Sequence, residues 1–142
     1  MRYMMFVMGN DDYQAGKPPS PQLMVEIGKL SEEAMKAGKL ISSEGLKPAV
    51  TRIRLAKGKR HVTDGPFTET KELVAGFWLI QVKSKAEAIE WMKRCPSPSE
   101  GQECEIEIRQ VFETDDFGPE LTPELREQEE RVRAMAAKQN KR

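Results

Sequence analysis

Two short segments of the chain are apolar on both sides, and they constrain the fold more than any other feature. Residues 3–8 read YMMFVM and residues 76–82 read GFWLIQV. Successive side chains of a strand point to opposite faces, so this pattern indicates strands that are covered on both faces. Residues 50–57 and 104–109 instead alternate apolar and charged side chains, which is typical of strands with one solvated face. We therefore predict a sheet with two central and two edge strands.

Helices are predicted between these strands. Ser20 followed by Pro21 is a favourable helix start, and apolar residues at helical spacing extend this helix over residues 21–37. Ser84 with Glu87 matches a capping box, which predicts a second helix to about residue 95. The remaining segments are predicted to be a loop (9–19), a brief extended piece (40–43) and a basic hairpin tip (57–60), after which residues 61–63 pair back.

The resulting order of elements is βαββαβ. Connection rules favour parallel first and third strands in the middle of the sheet, joined by a right-handed helical crossover, with the second and fourth strands at the edges. We class the domain as α+β, with ferredoxin-like topology and an antiparallel sheet. It is expected to span residues 1–112. Residues 113–142 form a charged C-terminal extension, helical from about residue 122, whose thin apolar stripe predicts either loose docking or an arm over a partner.

The balance of charges and the lack of a long apolar run argue against several classes of partner. Its 23 basic side chains balance 23 acidic ones, so no net field attracts nucleic acid or anionic lipid. No apolar run reaches the roughly 18 residues that a membrane span needs, and the amino-terminal segment becomes polar too soon for a signal peptide. We expect a cytoplasmic protein without nucleic-acid or membrane partners.

The cysteines predict neither a metal site nor a disulfide framework. Cys95 and Cys104 have no second CxxC-like pair and only His61 as a nitrogen partner, so the spacing of zinc-binding motifs and of disulfide frameworks is missing. We expect both thiols to be reduced and partly buried. No metal and no organic cofactor is predicted.

The predicted sheet leaves one of its faces without a cover. Two helices can cover only one side of four strands, so the central strands keep an apolar strip on the other side. Such patches seldom remain in water. Two sheets packed face to face would share this strip as a core, burying on the order of the 1,200–2,000 Å² of a stable interface. We therefore predict a homodimer.

The segment at residues 62–72, VTDGPFTETKE, resembles the signature of the DGPF branch of the YCII-related family. Four further pieces agree in order and spacing: RYMMFVMG, EGL followed by proline, GFWLIQV and EWMKRCP. The resemblance covers about residues 1–112 and implies a dimeric α+β barrel of the ferredoxin-like kind. It also implies relatives that include small-molecule isomerases, dehalogenases and monooxygenase-like enzymes. DGPF proteins are often encoded beside extracytoplasmic-function sigma factors.

Candidate catalytic residues lie in the signature segment. Asp64, Glu69 and Glu72 are carboxylates within nine residues, between a hairpin and a central strand, where they would sit at the mouth of the sheet cleft. A carboxylate beside an apolar cleft can act as a proton acceptor because burial raises its pKa. The simpler interpretation is that Asp64 accepts hydrogen bonds from a turn and that Glu72 forms an exposed ion pair with Lys71.

Other residues are candidates for ligand binding. Arg52 and Arg54 project from one face of a strand and could bind an anionic group, although such arginines are more often solvated. His61 is three residues from Asp64, and an odd offset along a strand points the two side chains to opposite faces. The remaining candidates are Glu44, Phe67, which would anchor the turn, and Lys71.

These observations leave two hypotheses for function. The first is a small-molecule enzyme of lyase or isomerase type that uses cleft carboxylates for acid–base chemistry. The second is a non-catalytic ligand-binding or regulatory module, functionally linked to a sigma factor if the resemblance extends that far. Converging, enclosed carboxylates would favour the enzyme, and splayed, exposed ones would favour the module.

Overall fold

The computed structural model describes residues 1–65, 73–97 and 103–140. Two compact units are present, Met1–Gln110 and Val111–Arg142. The elements of the first unit are β1 Arg2–Met8, α1 Asp11–Gln14, α2 Pro21–Lys36, β2 Leu40–Gly45, β3 Thr51–Ala56, β4 Lys59–Asp64, β5 Val74–Gln81, α3 Lys85–Met92 and β6 Ile106–Gln110. Those of the second unit are a 3₁₀ segment Thr114–Glu120 and α4 Pro123–Gln139. The short helix α1 falls in a segment predicted to be loop.

The main sheet has four strands in the order β2-β5-β1-β6. Strand β5 lies antiparallel to both β1 and β2, and β6 lies antiparallel to β1. The prediction of parallel central strands is therefore wrong, whereas the prediction of an antiparallel sheet is confirmed. The reason is that the crossover through α2 joins β1 to β2, and β5 then returns antiparallel between them.

The edge strand beside β5 is β2, not the predicted strand over residues 50–57. Gly38 adopts a positive φ of 72° after α2, and the chain enters the sheet at once, with Leu40 opposite Ile80. Residues of β3 pair with β4 in a separate two-stranded sheet. Local pairing prevails there because Lys57 and Gly58 have φ values of 50° and 75°, which suit a tight hairpin turn.

One face of the sheet carries the core. Tyr3 lies opposite Ile80 and Met5 opposite Trp78, and all of them are buried. Both long helices of this unit contact the same face, through Leu30 of α2 and through Ala88 and Met92 of α3. Burial of apolar side chains here, at about 25 cal/mol per Å², is the main stabilising contribution to the unit.

The other face carries the apolar strip that the sequence predicts. Met4 lies opposite Leu79 and Phe6 opposite Phe77, and each of the four is half-buried, whereas their neighbours on the helical face are buried. We call these four residues the central strip. Both helices of the core lie on the far side of the sheet from it.

The two predicted serine caps are confirmed, but Glu87 of the predicted capping box accepts from the Lys83 amide and not from that of the cap residue Ser84. The Ser20 hydroxyl accepts a hydrogen bond from the Leu23 amide, and the Ser84 hydroxyl accepts one from the Glu87 amide. Glu87 in turn accepts from the Lys83 amide at 2.9 Å and pairs with Lys39 at 3.1 Å. These two contacts, the backbone bond first, lower the pKa of the Glu87 carboxyl. They connect the start of α3 with the start of β2.

The second unit is formed by short-range contacts. Phe112 and Phe117 stack with ring centroids 5.1 Å apart, and Arg126 pairs with Asp115. The Thr122 hydroxyl caps α4, and no residue of this helix is buried. Throughout the described ranges, no helix has the length and apolar character that a membrane crossing requires.

Two glycines provide a test of this packing. A Cβ at Gly76 would lie 2.9 Å from the Glu44 carbonyl oxygen, whereas one at Gly28 in α2 would meet no atom within 4 Å. We expect Gly76→Ala to lower the free energy of unfolding by about 1–3 kcal/mol because β2 and β5 must separate. The control Gly28→Ala should raise it by about 0.5–1 kcal/mol. Urea unfolding measures both, and a Gly76→Ala protein as stable as the parent would contradict the observed register.

Candidate functional site

The β3–β4 ribbon carries the candidate binding residues that the structure describes. In register, Arg54 lies opposite His61, and Arg52 lies opposite Thr63. Side chains of directly opposite residues share a face, and residues two apart along a strand do so as well. Arg52, Arg54 and His61 therefore lie together on one face of the ribbon, and all three are exposed. We call this the basic face.

The opposite face of the ribbon is apolar in its middle. Ile53 lies opposite Val62, and the exposed fractions of these two residues and of Leu55 are 61%, 66% and 64%. Thr51 and Asp64 flank this apolar face at its base, and Arg60 lies opposite Leu55 near the tip. The ribbon is thus amphipathic, and the described part of the chain does not bury its apolar side.

Asp64 belongs to the apolar face and not to the basic one. Its carboxylate accepts a hydrogen bond of 2.7 Å from the Thr51 hydroxyl, across the last pair of the ribbon, and the side chain is exposed. The prediction that His61 and Asp64 point to opposite faces is confirmed. The simpler interpretation expected Asp64 to accept hydrogen bonds from a turn, whereas this bond comes from the opposite strand and joins the two strands at the base of the ribbon.

The other predicted carboxylates are not gathered around Asp64 in the part that the structure describes. Glu44 is exposed at the end of β2, where it lies opposite Phe77. Glu69 and Glu72, together with Phe67 and Lys71, lie outside the described residues. Their roles stay predictions.

A contact missed by the sequence interpretation holds the end of the sheet from which the ribbon departs. The Tyr13 hydroxyl donates to the Leu46 carbonyl at 2.7 Å, and the Tyr13 ring lies close to Gly9, where a Cβ would approach it to 2.7 Å. Burial raises the pKa of Tyr13. The Gly9 amide donates to the Leu73 carbonyl, so α1, the end of β1, the end of β2 and the start of β5 meet here. Asn10, which caps α1, was the one sequence signal for this short helix. The contact of Tyr13 with Leu46 joins residues 33 positions apart, and no sequence pattern predicts it.

A groove of about 270 Å³ lies on the helical side, lined by Leu30 and Pro96 with the charged residues Glu26, Lys29, Glu33 and Arg94. Arg94 pairs with Glu33, and its guanidinium lies 5.0 Å from the centre of the Trp91 ring. The groove is smaller than the ~300–1,000 Å³ of usual ligand pockets, and its rim carries balanced charges. We interpret it as a packing groove between the helices.

The cysteines lack the electrostatic surroundings of reactive thiols. Both are free and half-buried. Burial, with a smaller contribution from Cys104, raises the pKa of Cys95 to about 11. Burial, with Glu105, also raises the pKa of Cys104. Among the residues that the structure describes, no three His, Cys, Asp or Glu side chains are grouped to hold a metal ion.

These features define a class: an α+β domain with a ferredoxin-like strand order and an amphipathic basic ribbon inserted between β2 and β5. The model of the YCII-related domain matches residues 1–114, and the chain belongs to the YCII-related family. It is 34% identical over 79 residues to an uncharacterized protein of Rhizobium meliloti (strain 1021). That match covers 54% of this chain and 64% of the relative, so the chain spans slightly less than two thirds of the relative's length.

The raised pKa of Cys95 predicts low reactivity of its thiol. A thiol with a pKa of about 11 is almost entirely protonated at pH 8, and the thiolate is the form that is alkylated. We expect iodoacetamide to modify Cys95 at least about tenfold more slowly than an exposed cysteine. The rate should increase as pH rises toward 11. Peptide mass spectrometry measures it, with the urea-unfolded chain as control, and equal rates in both states would refute the buried environment.

Proposed function

We propose that the protein is a non-catalytic ligand-binding module that holds an anionic small molecule on the basic face of its β3–β4 ribbon. The observation that carries the proposal is the register that places Arg54 directly opposite His61, with Arg52 on the same face. Asp64, the single acidic residue between Thr51 and Gly65, lies on the other face. An anion bound on the basic face can therefore accept hydrogen bonds from Arg54 and His61 without repulsion from the one carboxylate of the ribbon, which lies on the other face.

The spacing of these donors suits an anion with two charged groups. Opposite residues of a ribbon have Cβ atoms about 4.5–5.5 Å apart, and alternate residues of one strand are about 6.5–7 Å apart. Arginine binds carboxylate and phosphate oxygens with two parallel hydrogen bonds. A dicarboxylate or a polyphosphate can therefore contact Arg54 and His61 at once.

Exposure of the face sets the expected strength of binding. Arg52, Arg54 and His61 are all exposed, and ion pairs in water contribute little and are screened by salt. We expect weak binding that prefers multivalent anions and decreases as ionic strength rises. A metabolite sensor needs this kind of reversible affinity.

The carboxylates support the module over the enzyme. Asp64 is exposed and held by Thr51, and Glu44 lies at the end of another sheet. Acid–base catalysis requires a proton acceptor near the reacting group. The lyase or isomerase hypothesis now depends on Glu69 and Glu72, which lie outside the described residues.

We further propose that the binding form is a homodimer of the DGPF branch. The segment VTDGPFTETKE at residues 62–72 supports the branch. The half-buried central strip of Met4, Phe6, Phe77 and Leu79 supports a second copy on that face of the sheet, as in a dimeric α+β barrel. A sigma factor encoded nearby is the regulatory target that this branch implies.

Removing hydrogen-bond donors from one face of the ribbon tests the proposed site. We expect Arg54→Gln with His61→Gln to weaken citrate or pyrophosphate binding about threefold to tenfold, the range for losing exposed charge contacts. Isothermal titration calorimetry at constant ionic strength measures the dissociation constant.

The matched control is Arg60→Gln, which removes a cation from the opposite face of the same ribbon. We expect it to weaken binding much less. Equal loss in both proteins would show that only the overall charge matters, and an absence of citrate and pyrophosphate binding in the parent would refute the module.

A further inference from the structure

The helix α4 presents an uncharged stripe along its length. At 100° per residue, Leu125, Val132 and Met135 of α4 fall on one side. The other residues on that side are uncharged: Gln128, Ala136 and Gln139. The exposed fractions of Leu125, Val132 and Met135 are 47%, 59% and 69%. Spacings of seven and three positions, as from Leu125 to Val132 and from Val132 to Met135, keep apolar residues on the side of a helix that packs against another helix.

The charges of α4 are separated along its axis. Between Pro123 and Glu130 there are four glutamates and one arginine, and from Arg131 to Gln139 there are two arginines, one lysine and no acid. The first half therefore has a net charge of −3 and the second half a net charge of +3. The acidic half also lies at the positive end of the helix dipole, and the basic half at its negative end.

We infer that α4 is an interaction surface whose occupant is the α4 helix of a second copy of this chain, lying antiparallel. In that orientation each acidic half meets the basic half of the other helix, and the two dipoles oppose each other. A parallel pair would instead place acid against acid and base against base. An overlap of residues 123–137 of the two helices brings Leu125 beside Met135 of the second copy and buries most of the uncharged stripe.

The contact is small, so covalent trapping is a sensitive readout. The experiment uses the full chain with Leu125→Cys and Met135→Cys together, treated with a short bifunctional maleimide. Ten residues separate the two positions, which is about 15 Å along one helix, so a short linker joins them only between copies. We expect a covalent dimer, and mass spectrometry should assign its link to positions 125 and 135.

Three controls make the result decisive. Leu125→Cys alone should give no dimer, because its two copies lie at opposite ends of an antiparallel pair. Ala134→Cys lies on the far side of α4 from the stripe and should also give none. The parent, with Cys95 and Cys104 half-buried, sets the background.

The outcomes that overturn the inference are equally clear. A strong dimer from Leu125→Cys alone would mean a parallel pair, and no link between positions 125 and 135 would mean that the stripe has another occupant. Dimers formed equally by Ala134→Cys would mean random collision. None of these results bears on anion binding by the ribbon, so the two proposals fail separately.

Discussion

Both long helices of the first unit pack on one face of the four-stranded sheet, and the rest of the structure depends on this asymmetry. Residues of β1 and β5 are apolar on both sides, but the core formed with Leu30, Ala88 and Met92 uses only one of them. The second side keeps the central strip half-buried. A sheet of this composition has more apolar surface than one chain's helices cover, and hydrophobic burial is the dominant favourable contribution to association. The dimer that we propose follows from this excess.

The position of the β3–β4 ribbon is set by the four-stranded sheet, because the ribbon follows β2 and precedes β5 in the chain. Its strands leave from the end where Tyr13 joins α1 to the end of β2 and where Gly9 meets the segment before β5. The Tyr13 hydroxyl donates to the Leu46 carbonyl at 2.7 Å and lies 3.5 Å from the Val74 carbonyl, so it joins the ends of the chain on either side of the ribbon. The ribbon itself is held by its own ladder and by the contact of Thr51 with Asp64. The ribbon is exposed on both faces, and such a surface is suited to contact with other molecules.

Local signals in the sequence predicted much of the fold. Runs that are apolar on both sides identified both central strands, and Ser20 and Ser84 marked the starts of two helices, because caps and side-chain patterns act within a few residues. The predicted edge partner of β5 was wrong because strand pairing depends on contacts across the whole sheet. The segment from Leu40 is short and partly polar, yet it pairs with β5 because α2 ends beside it. The predicted parallel direction of β1 and β5 was wrong for the same reason, since it depended on which strand the helical crossover joins to β1.

The candidate site was predictable only as a set of residue types. The sequence placed Arg52 and Arg54 on one face of a strand. Adding His61 to that face required the register of β3 with β4, which depends on the positive φ values at the turn. The contact of Tyr13 with Leu46 carried no sequence signal, because the two residues belong to elements that meet only in the folded sheet. Local chemistry was readable from the sequence, and long-range placement was not.

The central claim is that a second copy covers the free face of the sheet, and sedimentation velocity of a Phe6→Lys protein tests it most directly. A Val132→Glu background removes any contribution from α4, and Val25→Lys, at an exposed position on α2, is the matched control for the added charge. We predict that the background and the control sediment as dimers and that Phe6→Lys sediments as a folded monomer with unchanged circular dichroism. A monomeric background, or a Phe6→Lys protein that remains a dimer, would contradict the claim.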